Sequence, residues 1–305
     1  MSDDIRVIDI NGRFRQDYLL WCSNHKDIAA DEERMDEIFA DMYDKWFDMP
    51  KKWLGDKTPV EYFEDICDAP MYVTLFIEYQ KAEVDIPDPL IKCMTDRADE
   101  IYPMLLNIIN ADHSEDMEKD VLEDVQAKTV ALIDEMEKPH PVERYIEIAR
   151  DRTEESSLLD AIALVMETDP DRSYLEKIRD AYMTASGEGK QVLLEMMSYY
   201  EHDEGVFAVL ACEFEEDDAD VAFLANCFGR LGDERAVPLL EEALKKAEDI
   251  DYYTYSALRE AIEELGGDEV PEMDFYDDKD CEAVEEAARE IDEAAMTAGE
   301  ENDDK

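Results

Sequence analysis

The chain has 305 residues, and its hydrophobic content of 45% is enough to build a packed core, which argues against global disorder. Glycine and proline number only 10 and 11, so the composition argues against a protein of many strands and turns and favours an all-α fold. The 84 acidic residues outnumber the 30 basic ones and leave a formal net charge of −54, which repels nucleic acids and anionic membranes.

The acidity has two open interpretations. It either attracts a basic protein or peptide or merely keeps the surface solvated. The acidic first residues do not resemble a signal peptide, and no apolar run approaches the roughly 18 residues of a membrane span. The six cysteines are scattered without metal-ligand spacing, so we expect reduced thiols and, with the acidic first residues, a cytoplasmic location. Because of the negative charge we expect no direct contact with membranes or nucleic acids.

Residues 1–138 predict a helical N-terminal region of no known family. Apolar periodicity indicates helices over 31–48, 58–67, 70–83, 89–110 and 114–137. Thr58, Pro59 and Glu61 have the spacing of a capping box, which marks a helix start. This region either continues the repeats that follow it as divergent helix pairs or forms a separate helical cap.

Residues 139–267 predict repeating helix pairs, with Pro139 and Pro141 at the junction. Apolar anchors at the starts of helical patterns recur 32, 33 and 30 residues apart, at Val142, Tyr174, Phe207 and Val237. The predicted pairs cover 141–168, 172–201, 204–231 and 234–266. The candidate core residues are Tyr145, Ile148, Leu159, Ile162, Ile178, Val192, Met196, Leu210, Phe214, Phe223 and Phe228.

The last pair begins with a recognisable signature. Gly232 and Gly266 follow leucines at helix ends, Asp233 is placed to cap the next helix, and Pro238 falls near its first turn. The run 231–240 resembles a HEAT-like repeat of the bacterial type associated with phycobilisome lyases, and the match lies mainly within 204–271. The resemblance implies an α-α superhelix whose second helices line a concave face.

After Gly267 the composition changes. Residues 268–305 hold 17 acidic and 3 basic residues, with few large apolar side chains. We expect an acidic, partly disordered tail, which either engages a basic partner or only solvates the chain.

The search for catalytic motifs is negative. No nucleotide-binding loop, nucleophile elbow or zinc-protease helix is present, and no histidine is followed by glutamate. The acidic run of Glu213, Glu215, Glu216, Asp217, Asp218 and Asp220 has no calcium-loop spacing, and a solvated loop is the favoured interpretation over a Ca²⁺ or Mg²⁺ site. We predict no catalytic residue, no cofactor and no metal site.

The favoured hypothesis is therefore a non-enzymatic scaffold that binds a basic protein or peptide through an acidic, tyrosine-containing repeat surface. One alternative is mimicry of DNA in the cleft of a nucleic-acid-binding protein, and another is a lyase-like or metal-dependent enzyme sited in the N-terminal half. The oligomeric state stays open. The candidate binding residues are Tyr199, Tyr200, Tyr252, Tyr253, Tyr255, Glu195, Glu260 and Glu263.

Overall fold

The computed structural model of the chain describes residues 6–25, 32–66, 68–168, 171–216, 218–246, 250–271, 273 and 275. Within these ranges it contains fifteen α-helices and three short 3-10 turns, with no β-strand beyond one isolated bridge between Lys51 and Lys57. The prediction of an all-α fold built from packed neighbouring helices is confirmed. Contacts divide the chain into two compact units, 1–168 and 169–305, which are described separately.

Unit 1 contains nine helices. They are α1 (Ile10–Asn24), α2 (Glu32–Phe47), α3 (Pro59–Glu64), α4 (Ala69–Lys81), α5 (Asp88–Thr95), α6 (Ala98–Ile109), α7 (Lys119–Glu135), α8 (Val142–Asp151) and α9 (Ser157–Thr168).

The centre of unit 1 is a row of three helices, in which α7 packs against both α4 and α9. Helix α6 packs on α4 and α7, while α8 packs on its partner α9. The buried Gln126 amide of α7 links α6 to this row, since it donates to the carbonyl oxygens of Ile108 (2.9 Å) and Ala111 (2.8 Å) at the end of α6.

The structure differs from the sequence-based prediction at three places in unit 1. Helix α1 was not predicted, because its exposed Leu19 and Leu20 break up any single apolar stripe. The helix predicted over 89–110 is two helices, α5 and α6, separated at Asp96 and Arg97. The predicted junction at Pro139 and Pro141 is not the boundary between the compact units. That boundary follows Thr168, because α9 packs extensively on α7 and so belongs to the same unit.

Unit 2 contains three helix pairs, each within a few residues of its predicted range. The helices are α10 (Leu175–Tyr182), α11 (Glu188–Ser198), α12 (Glu204–Phe214), α13 (Val221–Leu231), α14 (Val237–Lys246) and α15 (Tyr252–Glu264). Of the eleven candidate core residues, nine are buried in the two units, whereas Phe214 and Phe223 are partly exposed.

The second helices of the three pairs, α11, α13 and α15, form a central layer in unit 2. Helix α13 packs against α11 on one side and α15 on the other, and each first helix packs on its own partner. The three run parallel, since residues near the C-terminal ends meet: Glu195 of α11 binds Arg230 of α13, and Gly229 of α13 lies beside Ala261 of α15. Parallel second helices are the geometry expected of repeating helix pairs.

The two turns that join the pairs of unit 2 each place a residue of positive φ directly before an aspartate cap. Gly232 has φ of 70°, and the next residue, Asp233, accepts a hydrogen bond from the Arg235 amide. The preceding turn places His202, with φ of 56°, at the equivalent position, and Asp203 then caps α12 by accepting from the Gly205 and Val206 amides. Because His202 replaces the glycine, the upstream turn is hidden from a search for the Leu-Gly-Asp signature.

The segment after α15 also differs from the prediction of an acidic tail that begins at 268. Val270 is buried, and its amide donates to Glu263 (3.3 Å), while the Tyr255 hydroxyl donates to the Pro271 carbonyl. Phe275 packs against the rings of Tyr252 and Tyr255. The first residues of the predicted tail therefore cover part of α15, and those from 276 onward lie outside the described residues.

We expect Gly232→Ala to lower the free energy of unfolding by about 1–2 kcal/mol, because a Cβ raises the cost of the left-handed conformation. That Cβ would also lie 3.3 Å from the His202 ring. Denaturant unfolding of the full chain measures the change. His202→Gly at the equivalent turn is the control and should shift stability in the opposite direction. Unchanged stability in Gly232→Ala would contradict this account of the turn.

Candidate functional site

The exposed side of the central layer in unit 2 is made of three regular stripes of side chains, which we call the second-helix surface. Each stripe follows the spacing of three or four residues that places side chains on one face of a helix. Its members are Glu188, Gln191, Glu195 and Tyr199 of α11; Phe223, Asn226 and Arg230 of α13; and Tyr253, Ser256, Glu260 and Glu264 of α15.

One polar cluster joins the first two stripes. The Arg230 guanidinium lies 2.8 Å from a Glu195 carboxylate oxygen and about 5.5 Å from the centre of the Tyr199 ring. The Tyr199 hydroxyl donates to the same carboxylate at 3.1 Å. Because Arg230 neutralises Glu195, this part of the surface carries little net charge and is ordered by three mutually bound side chains.

The remainder of the surface is anionic. Glu260 and Glu264 are exposed and Glu188 is partly exposed, and no cation among the described residues lies within ion-pair distance of any of them. Glu263, on the flank of α15, is paired with Arg259 at 3.1 Å. Carboxylates that lack an intramolecular partner lose little on meeting an external cation, since no existing ion pair has to be broken.

The predicted tyrosines divide between surface and core. Tyr199 and Tyr252 are partly exposed, and Tyr253 is 60% exposed, so their rings are accessible. Tyr200 and Tyr255 are 2% and 4% exposed and are therefore core residues, which corrects their assignment to a binding surface. The Tyr200 hydroxyl donates to the Asp171 carbonyl at 3.0 Å, and burial raises the pKa of Tyr200 to about 12.

Helical spacing would have separated these two groups. Tyr200 continues the apolar run of Leu193, Met196 and Met197 on α11, whereas Tyr199 continues the polar run through Glu195. On α15, Tyr255 shares its face with the buried Leu258 and Ile262. The same criterion identifies members of the surface that sequence reasoning missed, and these are Glu188, Gln191, Phe223, Asn226, Arg230, Ser256 and Glu264.

A cavity of about 450 Å³ opens at the N-terminal ends of α11 and α13 and shares Glu188, Gln191 and Phe223 with the second-helix surface. Leu194 and Leu224 form an apolar part of its lining. The remaining lining residues are Gly187, Lys190, Glu213, Glu216, Asp218, Ala219 and Asp220.

Lys190 makes a defined ammonium site in the wall of this cavity. Its Nζ donates to both carboxylate oxygens of Glu213, at 2.8 and 3.0 Å, and lies 5.1 Å from the centre of the Tyr182 ring. The Tyr182 hydroxyl also donates to Glu213. Partial burial alone would raise the pKa of Glu213, but the hydrogen bonds from Lys190 and Tyr182 outweigh it and hold the pKa below its ordinary value.

Among the residues that the structure describes, no group of three or more His, Cys, Asp or Glu side chains is arranged to hold a metal ion. In the acidic run that begins in the last turn of α12, Asp217 lies outside the described residues, and Glu213 is paired with Lys190. Every helix in the described part of the chain is too short or too polar to cross a lipid bilayer.

Comparison of the chain with protein-family models, with curated proteins and with solved structures yields no match.

The packing beneath the second-helix surface predicts the reactivity of a cysteine in α13. Cys227 of α13 is fully buried, and burial raises the pKa of its thiol to about 12, so the reactive thiolate is scarce at neutral pH. We expect iodoacetamide to alkylate the exposed Cys212 of the native protein while Cys227 reacts only after unfolding. Peptide mass spectrometry distinguishes the two positions. Equal labelling of both in the native state would mean that α11 and α13 do not pack as described.

Proposed function

We propose that the second-helix surface of unit 2 binds a basic segment of a protein partner and that the chain acts as a non-enzymatic scaffold. The observation that carries this proposal is the alignment of three parallel stripes whose carboxylates at Glu188, Glu260 and Glu264 lack a described intramolecular cation. Parallel helices hold these charges in fixed register, so an extended segment with regularly spaced lysines or arginines meets several of them at once.

Exposed aromatic side chains support the same proposal. Tyr253 is largely exposed and Tyr199 partly so, and tyrosine supplies a large contact area with little loss of side-chain entropy. Tyr199 is already oriented by Glu195 and Arg230, which reduces the cost of ordering it on binding. In the proposed complex, the tyrosines contact apolar parts of the partner while the carboxylates contact its charges.

The overall charge favours a protein partner over nucleic acid. At −54 the chain repels phosphate backbones, whereas a basic protein gains from the same field during diffusional encounter. Membership of the HEAT-like repeat proteins is part of the proposal and is supported by the signature at 231–240 and by the parallel second helices. A cytoplasmic location also belongs to it, supported by the free cysteines among the described residues.

The proposal predicts salt-sensitive binding of a basic peptide. A fluorescent peptide of about 15 residues that alternates lysine or arginine with leucine should bind the full chain in low salt, and its affinity should fall about tenfold or more as salt rises from about 0.05 to about 0.5 M. Fluorescence anisotropy measures both affinities. A peptide of the same length with glutamate in place of the bases should not bind.

Paired variants then locate the site. Removing two charges from the surface, in Glu260→Gln with Glu264→Gln, should weaken the peptide about fivefold, since each exposed ion pair contributes up to about 1 kcal/mol. The matched control removes two exposed charges from first helices of the same unit, in Glu176→Gln with Glu242→Gln, and should change affinity less than about twofold. Equal weakening by both pairs would show that only net charge matters and would reject the proposed surface.

A further inference from the structure

We infer that the cavity at the N-terminal ends of α11 and α13 is the anchor site for an arginine side chain of the partner. This inference rests on the proposed function, because the arginine belongs to the basic segment that the second-helix surface binds. The two sites are continuous, since Glu188, Gln191 and Phe223 contribute to both.

The charge of the cavity selects a cationic occupant. Five carboxylates line it, and the single lysine in its wall is already bound to one of them, Glu213. No cation among the described residues lies within ion-pair distance of Glu188, Glu216, Asp218 or Asp220. The neighbouring Lys190 shows that an alkylammonium group is held here, between a carboxylate and the Tyr182 ring. Asp220 already caps α13, where its carboxylate accepts a hydrogen bond from the Phe223 amide at 3.0 Å. Glu188, Glu216 and Asp218 therefore remain to offer the same chemistry to a second cation.

The arrangement of these groups argues against a compact metal ion. Among the described residues, no three acidic, histidine or cysteine side chains converge closely enough to hold one. The cavity volume of about 450 Å³ also exceeds what a single ion with its water ligands occupies, because each water takes about 30 Å³. Dispersed carboxylates around a wider space fit an extended cation better than a point charge.

The apolar lining selects a cation with an aliphatic stem and a flat head. The partly exposed Phe223 ring provides a face for stacking, and Leu194 and Leu224, each only 3% exposed, add a small apolar area beside it for methylene groups. Arginine has both features, because its guanidinium stacks on aromatic rings and bonds two carboxylates at once. A lysine ammonium gains less, since it is more strongly hydrated and binds as a point charge.

Small model compounds test the cavity directly. Titration of the full chain, with isotope-labelled leucine methyl groups, by N-acetylarginine methylamide should shift the Leu194 and Leu224 signals saturably in the millimolar range. The citrulline analogue, which has the same shape without the charge, should leave these signals unchanged. The lysine analogue should bind several-fold more weakly. An absence of saturable shifts with arginine, or equal binding of arginine and lysine, would overturn the arginine assignment.

Two neighbouring glutamates provide a matched control. Glu216 lines the cavity and the exposed Glu215 does not, although both follow α12 directly. We expect Glu216→Gln to weaken the arginine compound several-fold and Glu215→Gln to change it less than twofold. Each variant removes one negative charge, so the overall field changes equally. Equal weakening by both variants would assign the binding to that field and overturn the anchor site.

The basic peptide separates failure of this inference from failure of the proposed function. If the peptide binds, responds to the Glu260 and Glu264 variants and is unaffected by Glu216→Gln, the surface stands and the anchor site is wrong. If the peptide does not bind the native chain while N-acetylarginine methylamide does, the cavity recognises guanidinium but the proposed function fails, and with it the anchoring role.

Discussion

The close packing of α13 against α15 is the interaction on which the second-helix surface depends. Gly229 of α13 lies beside Ala261 of α15, and a Cβ on Gly229 would lie 3.8 Å from the Cα of Ala261. Small residues at this contact let the two parallel helices approach closely, because larger side chains would push them apart. Parallel helices in turn place equivalent residues of successive pairs side by side, so a stripe that is polar on each helix becomes a continuous surface.

The few lysine and arginine side chains described in unit 2 mostly pair with acidic side chains of the same or a neighbouring element. Arg172 and Arg179 both bind the cap residue Asp203, and Arg230 and Lys190 each bind a glutamate beside the central layer. These pairs stabilise turns and helix contacts, and they leave many exposed carboxylates without a described counter-charge. On the second-helix surface and in the cavity, lysine and arginine side chains do not neutralise all of the carboxylates. A basic partner is therefore the occupant that the charge of both regions favours.

Much of the fold was predictable from local pattern. The apolar period located all four helix pairs between 141 and 266, and the capping box at Thr58 forms as its sequence indicates, with reciprocal hydrogen bonds to Glu61. The break between α5 and α6 was not predictable in the same way. Leu90, Met94, Ile101 and Leu105 keep an unbroken helical spacing across it, so periodicity is identical for one helix and for two. The boundary after Thr168 depends on contacts between α7 and α9 that local pattern cannot reveal.

The sequence by itself determined the all-α class, the positions of the helix pairs and the sign of the surface charge, because each follows from local periodicity, capping and composition. Only the tertiary structure decided which of these residues form a site. Tyr199 and Tyr200 are adjacent in the chain, yet one lies on the surface beside Arg230 and the other lies in the core against the loop at Asp171. The cavity likewise assembles residues of α11, α12, α13 and their adjoining turns, which extend from Gly187 to Leu224 in the sequence. Proximity of this kind arises from packing between helices, for which local sequence carries no record.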